Sequence, residues 1–334
     1  MVRRRPDESD IRIRPARSTR PRSKDRPAHI DAIAADVLTV DRGRTLCRTE
    51  SGTLINAMKA RELGKNSVVV GDKVNLVGDT SGTEGTLARI VAVQPRRNSL
   101  SRTIDDAGAF EKTIAANIDQ MLIVVASANP EPRHGFVDRC LAVAFDQGIT
   151  PIIVMTKRDL ADPKEFLSAY ESLNISTISV QRDGDLEAIK ELLRDKTSVL
   201  IGHSGVGKST LVNAIIGGDQ RATGDVNDTT GRGRHTSSSA IAFDLPGNIG
   251  TIIDTPGVRS FGLEHIDRTR VIGSFEELAR AIATCPKNCS HDEEKCGLND
   301  YIAENPEAQQ RVASLRRLLE SSTHIEYSAD NLRP

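Results

Sequence analysis

Residues 202–209 read Gly-His-Ser-Gly-Val-Gly-Lys-Ser, between an aliphatic run at 198–201 and a helical pattern at 210–216. This is the spacing of a P-loop, in which glycines allow the backbone N–H groups to point at phosphate oxygens. The N-terminus of the following helix adds a positive field at the same point. The stretch therefore predicts a nucleotide-binding loop between a buried parallel strand and a helix.

Two side chains of this loop have specific predicted roles. Lys208 is expected to reach the β- and γ-phosphates and to take part in catalysis. Ser209 is expected to offer its hydroxyl to Mg²⁺. The other residues of this stretch expected to line the nucleotide are Gly202, Ser204, Gly205, Val206, Gly207 and Thr210.

A second phosphate-side motif follows the aliphatic run at 251–253 and reads Asp-Thr-Pro-Gly at 254–257. Asp254 is expected to hold Mg²⁺, and the N–H of Gly257 is expected to meet the γ-phosphate. The motif alone is weak, because turns after strands often have this composition. Its position downstream of the phosphate loop makes it informative. Residues 240–244 are predicted to be the hairpin partner of this strand.

Base recognition is predicted from Thr-Lys-Arg-Asp at 156–159, after an aliphatic run at 152–155. The Asp159 carboxylate can accept hydrogen bonds from guanine N1 and N2, which are donors that adenine lacks. Lys157 is expected to lie along the base plane, and Thr156 stands where Asn is more usual. The alternative interpretation is a charged loop after a buried strand.

A second loop at the guanine edge is predicted at Ser179 and Val180. Both base-recognition segments precede the phosphate loop and Asp254, whereas ordinary GTPases have the opposite order. The chain is therefore predicted to be circularly permuted. Its new ends join other domains, so movements at the nucleotide can pass directly to flanking modules.

The 334 residues, 38% of them hydrophobic, suffice for two or three domains. Residues 1–29 contain ten Lys or Arg and four acidic residues, although the whole chain has a net charge of −1. This segment is predicted to be a disordered basic tail that contacts a polyanion. A solvated tail with no specific partner is the alternative.

The segment 30–103 is predicted to be a small β-barrel, because short strands alternate with turns rich in Gly, Asp and Asn. An OB-fold is the favoured architecture, and an SH3-like barrel is the alternative. The clearest predicted strands are 36–40, 67–70, 73–77 and 88–93.

A metal site is predicted near the C-terminus from the spacing Cys285-x3-Cys289-x-His291-x4-Cys296. Three thiolates and an imidazole can close a tetrahedral structural zinc site. Three buried thiols and a surface histidine are the alternative. Helices are predicted on either side, at 275–283 and 307–319. The odd number of cysteines disfavours a disulfide scaffold, and reducing cytosol is the expected compartment. No apolar run approaches the ~20 residues needed to span a bilayer, so no membrane partner is expected.

Taken together, these motifs resemble the ribosome small-subunit-dependent GTPase A family. The resemblance covers about 31–319 and includes Ala-Asn-Ile-Asp at 116–119, Asp138-Arg139, and Gly-Arg-Gly-Arg-His-Thr at 231–236. It implies an OB-fold, a permuted GTPase domain and a C-terminal zinc domain. It also implies binding to the 30S subunit and its 16S rRNA late in assembly, with ribosome-stimulated hydrolysis of GTP to GDP and phosphate. A cytoplasmic monomer with one zinc ion is expected.

The resemblance also bears on two details. Val258 stands where many GTPases place a Gln that orients the attacking water, and the family shares this substitution. His235 is our candidate for that role, and the alternative is a loop histidine that contacts rRNA or backbone. Thr236 is the expected catalytic switch hydroxyl for Mg²⁺ and the γ-phosphate, and Ser237 is the alternative. The family often has aromatic residues in its last helix, where this chain has arginines, so the contacts of that helix are expected to differ.

The predicted architecture is a multidomain α/β protein with four parts. These are the tail at 1–29, an OB-fold RNA-binding domain at 30–103, the permuted GTPase domain at 104–262 and a zinc-binding helical domain at 263–334. The predicted function is GTP hydrolysis on the assembling 30S subunit. A stand-alone signalling GTPase and a P-loop ATPase or kinase are the alternatives.

Overall fold

The computed structural model of this protein describes residues 31–41, 43–64, 67–103, 111–181, 184–216, 240–255 and 266–321. Some of the sequence predictions therefore lie outside the described residues. They are the basic tail at 1–29 and the site residues His235, Thr236 and Gly257.

The N-terminal part of the described chain is a five-stranded β-barrel. Its strands are β1 (Ile33–Asp41), β2 (Arg44–Thr49), β3 (Leu54–Lys59), β4 (Lys73–Gly78) and β5 (Ala88–Val93). β1 pairs with both β2 and β4, which closes the order β1-β2-β3-β5-β4-β1. Because side chains alternate across a strand, Cys47, Ile55 and Leu76 point inward and are fully buried. The OB-fold prediction is confirmed by this barrel.

The prediction of a strand at 67–70 is wrong, since no strand forms there. Val69 donates its N–H to the Asp72 carboxylate at 2.8 Å, and Gly71 turns the chain with a φ of 84°. Asp72 is buried and is held by Arg96 at 2.6 Å. A local carboxylate thus takes the hydrogen bond that a neighbouring strand would otherwise accept.

The barrel leads into a larger sheet. Its strands are β8 (Gln120–Ala126), β9 (Thr150–Thr156), β10 (Ser176–Ser179), β11 (Thr197–Ile201), β12 (Ile241–Asp244) and β13 (Thr251–Asp254). Their order is β10-β9-β8-β11-β13-β12, with the first five parallel and β12 antiparallel. The strands expected from the aliphatic runs, and the hairpin partner expected at 240–244, are confirmed.

Helices cover both faces of this sheet, and the residues of β8 show why. Met121 and Ile123 pack on one face of the sheet, in the same core as the first helix of the chain. Leu122 and Val124 pack on the other face, in the same core as the third and fourth helices. Every residue of β8 is buried, as expected for a central parallel strand. The helices are α1 (His134–Asp146), α2 (Lys164–Ser168), α3 (Glu187–Leu193) and α4 (Lys208–Ile216).

A two-stranded hairpin, β6 (Ser99–Thr103) and β7 (Glu111–Ala116), lies in the chain between barrel and sheet. The sequence analysis did not predict it. It crosses the predicted domain boundary at 103/104, which stays a prediction.

Asn117 and Asp119, from the family motif, lie just after β7 and join the barrel to the sheet. The Asn117 amide donates to the carbonyl of Gly71 at 2.9 Å. The Asp119 carboxylate accepts from the N–H of Thr197 at 2.8 Å and pairs with Arg97 at 2.8 Å. This motif therefore fixes the first residue of β11 relative to the barrel.

The C-terminal part is helical, with α5 (Arg268–Gly273), α6 (Glu276–Ile282), α7 (Gly297–Glu304) and α8 (Gln309–Ser321). α8 buries an aliphatic stripe, Val312, Leu315, Leu318 and Leu319, in the same core as α1. Each such side chain contributes roughly 1.5–3 kcal/mol relative to exposure. Both predicted flanking helices are present. Among the described residues, no helix combines the length and apolar character needed to cross a bilayer.

Arginines of α8 attach this part of the chain to the sheet. Arg317 pairs with the buried Asp138 of α1 at 2.9 Å and lies over the ring of Tyr170 at 5.3 Å. Burial raises the pKa of Asp138, and the charge of Arg317 opposes that shift. Six residues earlier on α8, Arg311 pairs with Glu277 and lies over a phenylalanine ring.

Replacing Arg317 with Met should destabilise the protein, because the Asp138 carboxylate then stays buried without its cation. Breaking a buried pair typically costs ~3–5 kcal/mol, and the lower end applies here because Arg317 is 34% exposed. We expect a lower urea midpoint for Arg317→Met and substantial recovery when Asp138→Asn is added.

The matched control is Arg194→Met, which removes an exposed pair with Glu191. It should change the free energy of unfolding by less than ~0.5 kcal/mol. Equal midpoints for Arg317→Met and this control would contradict the importance of the buried pair.

Candidate functional site

The predicted phosphate loop connects the end of β11 to the start of α4. Gly202 lies so close to β8 that a Cβ there would be 2.4 Å from the carbonyl oxygen of Val124. Gly207 has a φ of 96°, which L-residues with side chains rarely adopt. The strand, the tight loop and the helix that the motif requires are therefore all present.

Lys208 lies folded back over this loop. Its ammonium donates to the carbonyl oxygens of Gly202 and His203, the latter at 2.8 Å. Burial lowers the pKa of Lys208, and the charge of Asp254 partly opposes that shift. Among the described residues, no carboxylate forms an ion pair with it, so a phosphate can supply the missing counter-charge.

Asp254 ends β13 and lies in register with Leu200 of β11. The next residue, Thr255, is buried and donates its hydroxyl to the carbonyl of Leu200 at 3.0 Å. Ser209 lies in the first turn of α4, which follows the same strand. Two of the predicted Mg²⁺ ligands are thus placed by neighbouring strands, Asp254 at the end of β13 and Ser209 in the helix that follows β11.

Thr156 connects the first base-recognition loop to the phosphate loop. Its hydroxyl oxygen lies 2.6 Å from the carbonyl oxygen of Val206 and 3.2 Å from that of Val125. One hydroxyl hydrogen serves these two acceptors, and the shorter contact goes to the phosphate loop. Thr156 therefore holds the ends of β8 and β9 against the loop between β11 and α4.

The rest of the base-recognition segment turns outward. Lys157 adopts a φ of 56° and donates its ammonium to the carbonyl of Asn129. A turn closed by Leu160 N–H to Lys157 O, at 2.9 Å, leaves Asp159 exposed at the sheet edge. An exposed carboxylate is available to an incoming base.

The second base-recognition loop lies beside the first. Ser179 is in register with Met155, and the N–H of Val180 donates to the Met155 carbonyl at 2.7 Å. Because β8, β9, β10, β11 and β13 are parallel, their carboxyl ends meet at one edge of the sheet. In open α/β sheets ligands bind at this edge.

The sequence analysis missed a contact between α1 and the phosphate loop. The rings of Phe136 and His203 lie 4.2 Å apart, centroid to centroid. The analysis also missed Asn129, the acceptor for Lys157. An Asn-Pro pair there indicates a turn, but spacing alone does not reveal which loop it meets.

The predicted metal ligands come together in the structure. The ligand atoms of Cys285, Cys289, His291 and Cys296 all lie within 4.8 Å of one another. Cys285 Sγ is 3.7 Å from Cys296 Sγ and 3.8 Å from His291 Nδ1. Zn–S bonds of ~2.3 Å in a tetrahedron place the sulfurs ~3.8 Å apart, so the cluster fits a tetrahedral ion.

Backbone hydrogen bonds to the sulfurs and a neutral imidazole suit a bound metal ion, whereas desolvation raises the pKa of the Cys289 thiol. Backbone N–H groups point at two sulfurs, from Gly297 to Cys285 at 3.2 Å and from His291 to Cys289 at 3.4 Å. Burial, followed by the charge of Arg268, lowers the pKa of His291. From α8, Arg316 donates to the His291 carbonyl at 2.7 Å, so this helix braces the cluster.

Both the sequence and the fold of this chain are similar to those of known proteins. A family model described as RsgA GTPase matches residues 93–264. A Chlorobaculum tepidum protein named small ribosomal subunit biogenesis GTPase RsgA is 35% identical over 296 residues, covering 85% of this chain and 93% of that protein.

Two solved structures share the fold. YjeQ from Thermotoga maritima has a TM-score of 0.63 and 24% identity, covering 87% of this chain and 98% of its own. YloQ, described as a circularly permuted GTPase, has a TM-score of 0.62 and 20% identity, covering 93% and 99%. At these identities the likeness shows the fold alone, and that fold is the permuted arrangement expected from the motif order.

Removing the Thr156 hydroxyl should loosen the phosphate loop and weaken nucleotide binding. Thr156→Val keeps the shape of the side chain but leaves the Val206 carbonyl without this donor. A net hydrogen bond is worth about 1 kcal/mol, so we expect a roughly five-fold rise in the Kd of a fluorescent guanine nucleotide.

Thr156→Ser keeps the hydroxyl and serves as the matched control, with a Kd near that of the unmodified protein. If the Val and Ser variants bind equally, the hydroxyl does not hold the loop.

Proposed function

The chain belongs to the RsgA GTPase family, and we propose that it binds the 30S ribosomal subunit late in assembly and hydrolyses GTP there to GDP and phosphate. The observation that carries this proposal is the convergence of phosphate loop, Asp254 and both base-recognition loops at one sheet edge. The chemistry is that of a GTP-hydrolysing enzyme. Its compartment in this proposal is the cytoplasm, where small subunits assemble.

In this proposal the nucleotide lies along the carboxyl edge of the sheet. Asp159 selects guanine, with Thr156, Lys157, Ser179 and Val180 completing the base pocket. At the other end the backbone of the phosphate loop, with Lys208, binds the β- and γ-phosphates. Mg²⁺ is held by Ser209, Thr236 and Asp254, with the N–H of Gly257 on the γ-phosphate.

Hydrolysis also needs a water placed in line with the γ-phosphate. The phosphate-side residue that usually does this is replaced by Val258. We assign the water to His235, next to Thr236 in the sequence, and a contact of His235 with rRNA remains the competing assignment.

The side chains on one face of the barrel favour 16S rRNA as the partner. Met58 on β3 is 46% exposed and is flanked in register by Arg44 on β2 and Arg89 on β5, both exposed. Leu54 and Leu87 are exposed nearby. Guanidinium groups beside apolar side chains suit phosphates and unstacked bases, and OB-folds bind oligonucleotides on such a face.

We further propose that the Cys and His cluster holds one structural Zn²⁺ per chain. The support is the ligand set, the 3.7 Å spacing of two sulfurs and the absence of an open ligand position in a Cys₃His set. The ion's part is to fix the loop between α6 and α7, on which Arg316 of α8 is anchored.

GTP turnover with and without purified 30S subunits tests the proposed function. We expect 30S subunits to raise turnover by at least ten-fold, and 50S subunits to have little effect. Equal turnover in all three conditions would favour a stand-alone GTPase instead.

The salt dependence of 30S binding tests the barrel face. The double variant Arg44→Ala with Arg89→Ala should bind 30S subunits more weakly, with a log–log salt slope smaller by about 2, or about 1 per phosphate contact. Intrinsic turnover should be unchanged. Arg194→Ala, which replaces an exposed arginine just after α3, is the control. An unchanged slope in the double variant would exclude this face.

Metal analysis of protein purified without added metal tests the zinc proposal. We expect one zinc per chain, loss of that zinc in Cys296→Ala, and full retention in the control Cys47→Ala, whose thiol is buried in the barrel. Protein without stoichiometric metal, or with zinc retained after Cys296→Ala, would contradict the site.

A further inference from the structure

Strand β12 joins the barrel to the nucleotide-binding sheet. On one side it pairs with β13, which ends in Asp254, and on the other side Ile241 pairs with Thr39 of β1. Barrel and sheet are therefore one continuous eleven-stranded structure. A shift of the barrel relative to the sheet can therefore reach the β12–β13 hairpin directly, in addition to the links made by Asn117 and Asp119.

An apolar contact supports this pairing. Leu38 of β1 is buried in the same core as Ala242 of β12 and Ile253 of β13, and Leu46 of β2 packs against it. Two barrel strands thus rest on the hairpin that carries Asp254.

A charged row crosses the same junction. Arg48 of β2, in register with Asp36 of β1, reaches the carboxylates of both Asp36 and Asp244 of β12. Its guanidinium lies 3.5 Å from the carboxylate of Asp36 and in direct contact with that of Asp244. Two like charges on adjacent strands repel each other, so Arg48 is the cation that allows the two strands to lie side by side.

The row extends to the strand that bears Asp254. Asp244 is in register with Thr251, and the Thr251 hydroxyl donates to its carboxylate at 2.8 Å. Asp254 lies three residues further along β13, about 10 Å away at the rise of a strand. Arg48 therefore holds the opposite end of the short strand that positions the proposed Mg²⁺ carboxylate.

We propose that Arg48 is a positioning residue that couples the barrel to GTP hydrolysis. It ties the β12–β13 hairpin, and through it Asp254, to the face of the molecule that we assign to rRNA. Binding of the barrel to the 30S subunit then sets the position of Asp254 relative to the phosphate loop. This inference rests on the proposed function and names how its site is regulated.

The exposure of the row argues for a positioning role over a stabilising one. The side chains of Arg48 and Asp244 are 24% and 37% exposed, and partly solvated ion pairs add little to stability. Because Arg48 belongs to the barrel and Asp244 to the sheet, their ion pair is sensitive to small movements of the barrel relative to the sheet.

The test compares turnover, 30S affinity and thermal stability in four variants. Arg48→Met and Asp244→Asn should keep the intrinsic turnover and 30S Kd of the unmodified protein but lose about ten-fold in stimulated kcat. Asp36→Asn leaves the Arg48–Asp244 pair in place and is the matched control, with full stimulation. The charge exchange Arg48→Asp with Asp244→Arg keeps one cation and two carboxylates in the row, with an ion pair again joining β2 to β12, and should restore most of the stimulation.

Full stimulation of Arg48→Met overturns the inference, as does a loss of stimulation no larger than the loss of 30S affinity. Failure of the charge exchange to restore stimulation also overturns it. Where Arg48→Met does not fold, Arg48→Lys serves, with reduced but measurable stimulation expected. If 30S subunits do not stimulate the unmodified protein, the proposed function itself is overturned. If they stimulate the unmodified protein and the Arg48→Met variant equally, only the role of Arg48 is overturned.

Discussion

Parallel pairing of β8, β9, β10, β11 and β13 places five carboxyl ends at one edge of the sheet, and the nucleotide site depends on this constraint. Base-recognition loops leave β9 and β10, the phosphate loop leaves β11, and Asp254 ends β13. Circular permutation changes the order in which the chain visits these strands and leaves the edge intact. The hydroxyl of Thr156 donates to the carbonyl of Val206 and so connects the base-recognition side of this edge to the phosphate loop.

Two modules are attached to this sheet by different physical means. The barrel is joined by continuous strand pairing and by Asn117 and Asp119, which meet its backbone and the first residue of β11. The C-terminal helices are joined by apolar packing of α8 on α1 and by the buried pair of Arg317 and Asp138. Arg316 of the same helix donates to the His291 carbonyl, so α8 contacts both the sheet module and the loop of the Cys and His cluster.

The sequence was sufficient to predict candidate sites wherever these depend on local spacing, and the roles of their residues stay predictions. Glycines before Lys208, Asp159 after an aliphatic run, and four close Cys and His residues each define their chemistry within a dozen residues. Pairings distant in sequence were not accessible in this way. Nothing near Arg317 identifies Asp138 as its partner, and the hairpin of β6 and β7 lacks a clear period-two pattern. At 67–70 an aliphatic run was misleading because Asp72 captures a strand N–H locally.

The insertion of β11 between β8 and β13 has a consequence for synthesis of the chain. β8 is synthesised early and can pair with β9 at once. Its other edge stays unpaired until β11 is made, and the contacting residues Gln120 and Ser198 of these two strands are 78 residues apart. β1 waits longer still for β12. Long-range pairing of this kind slows folding, and open strand edges favour association with other chains. The permuted order that brings the modules to the nucleotide therefore leaves the nascent protein with an exposed central strand until its phosphate loop is made.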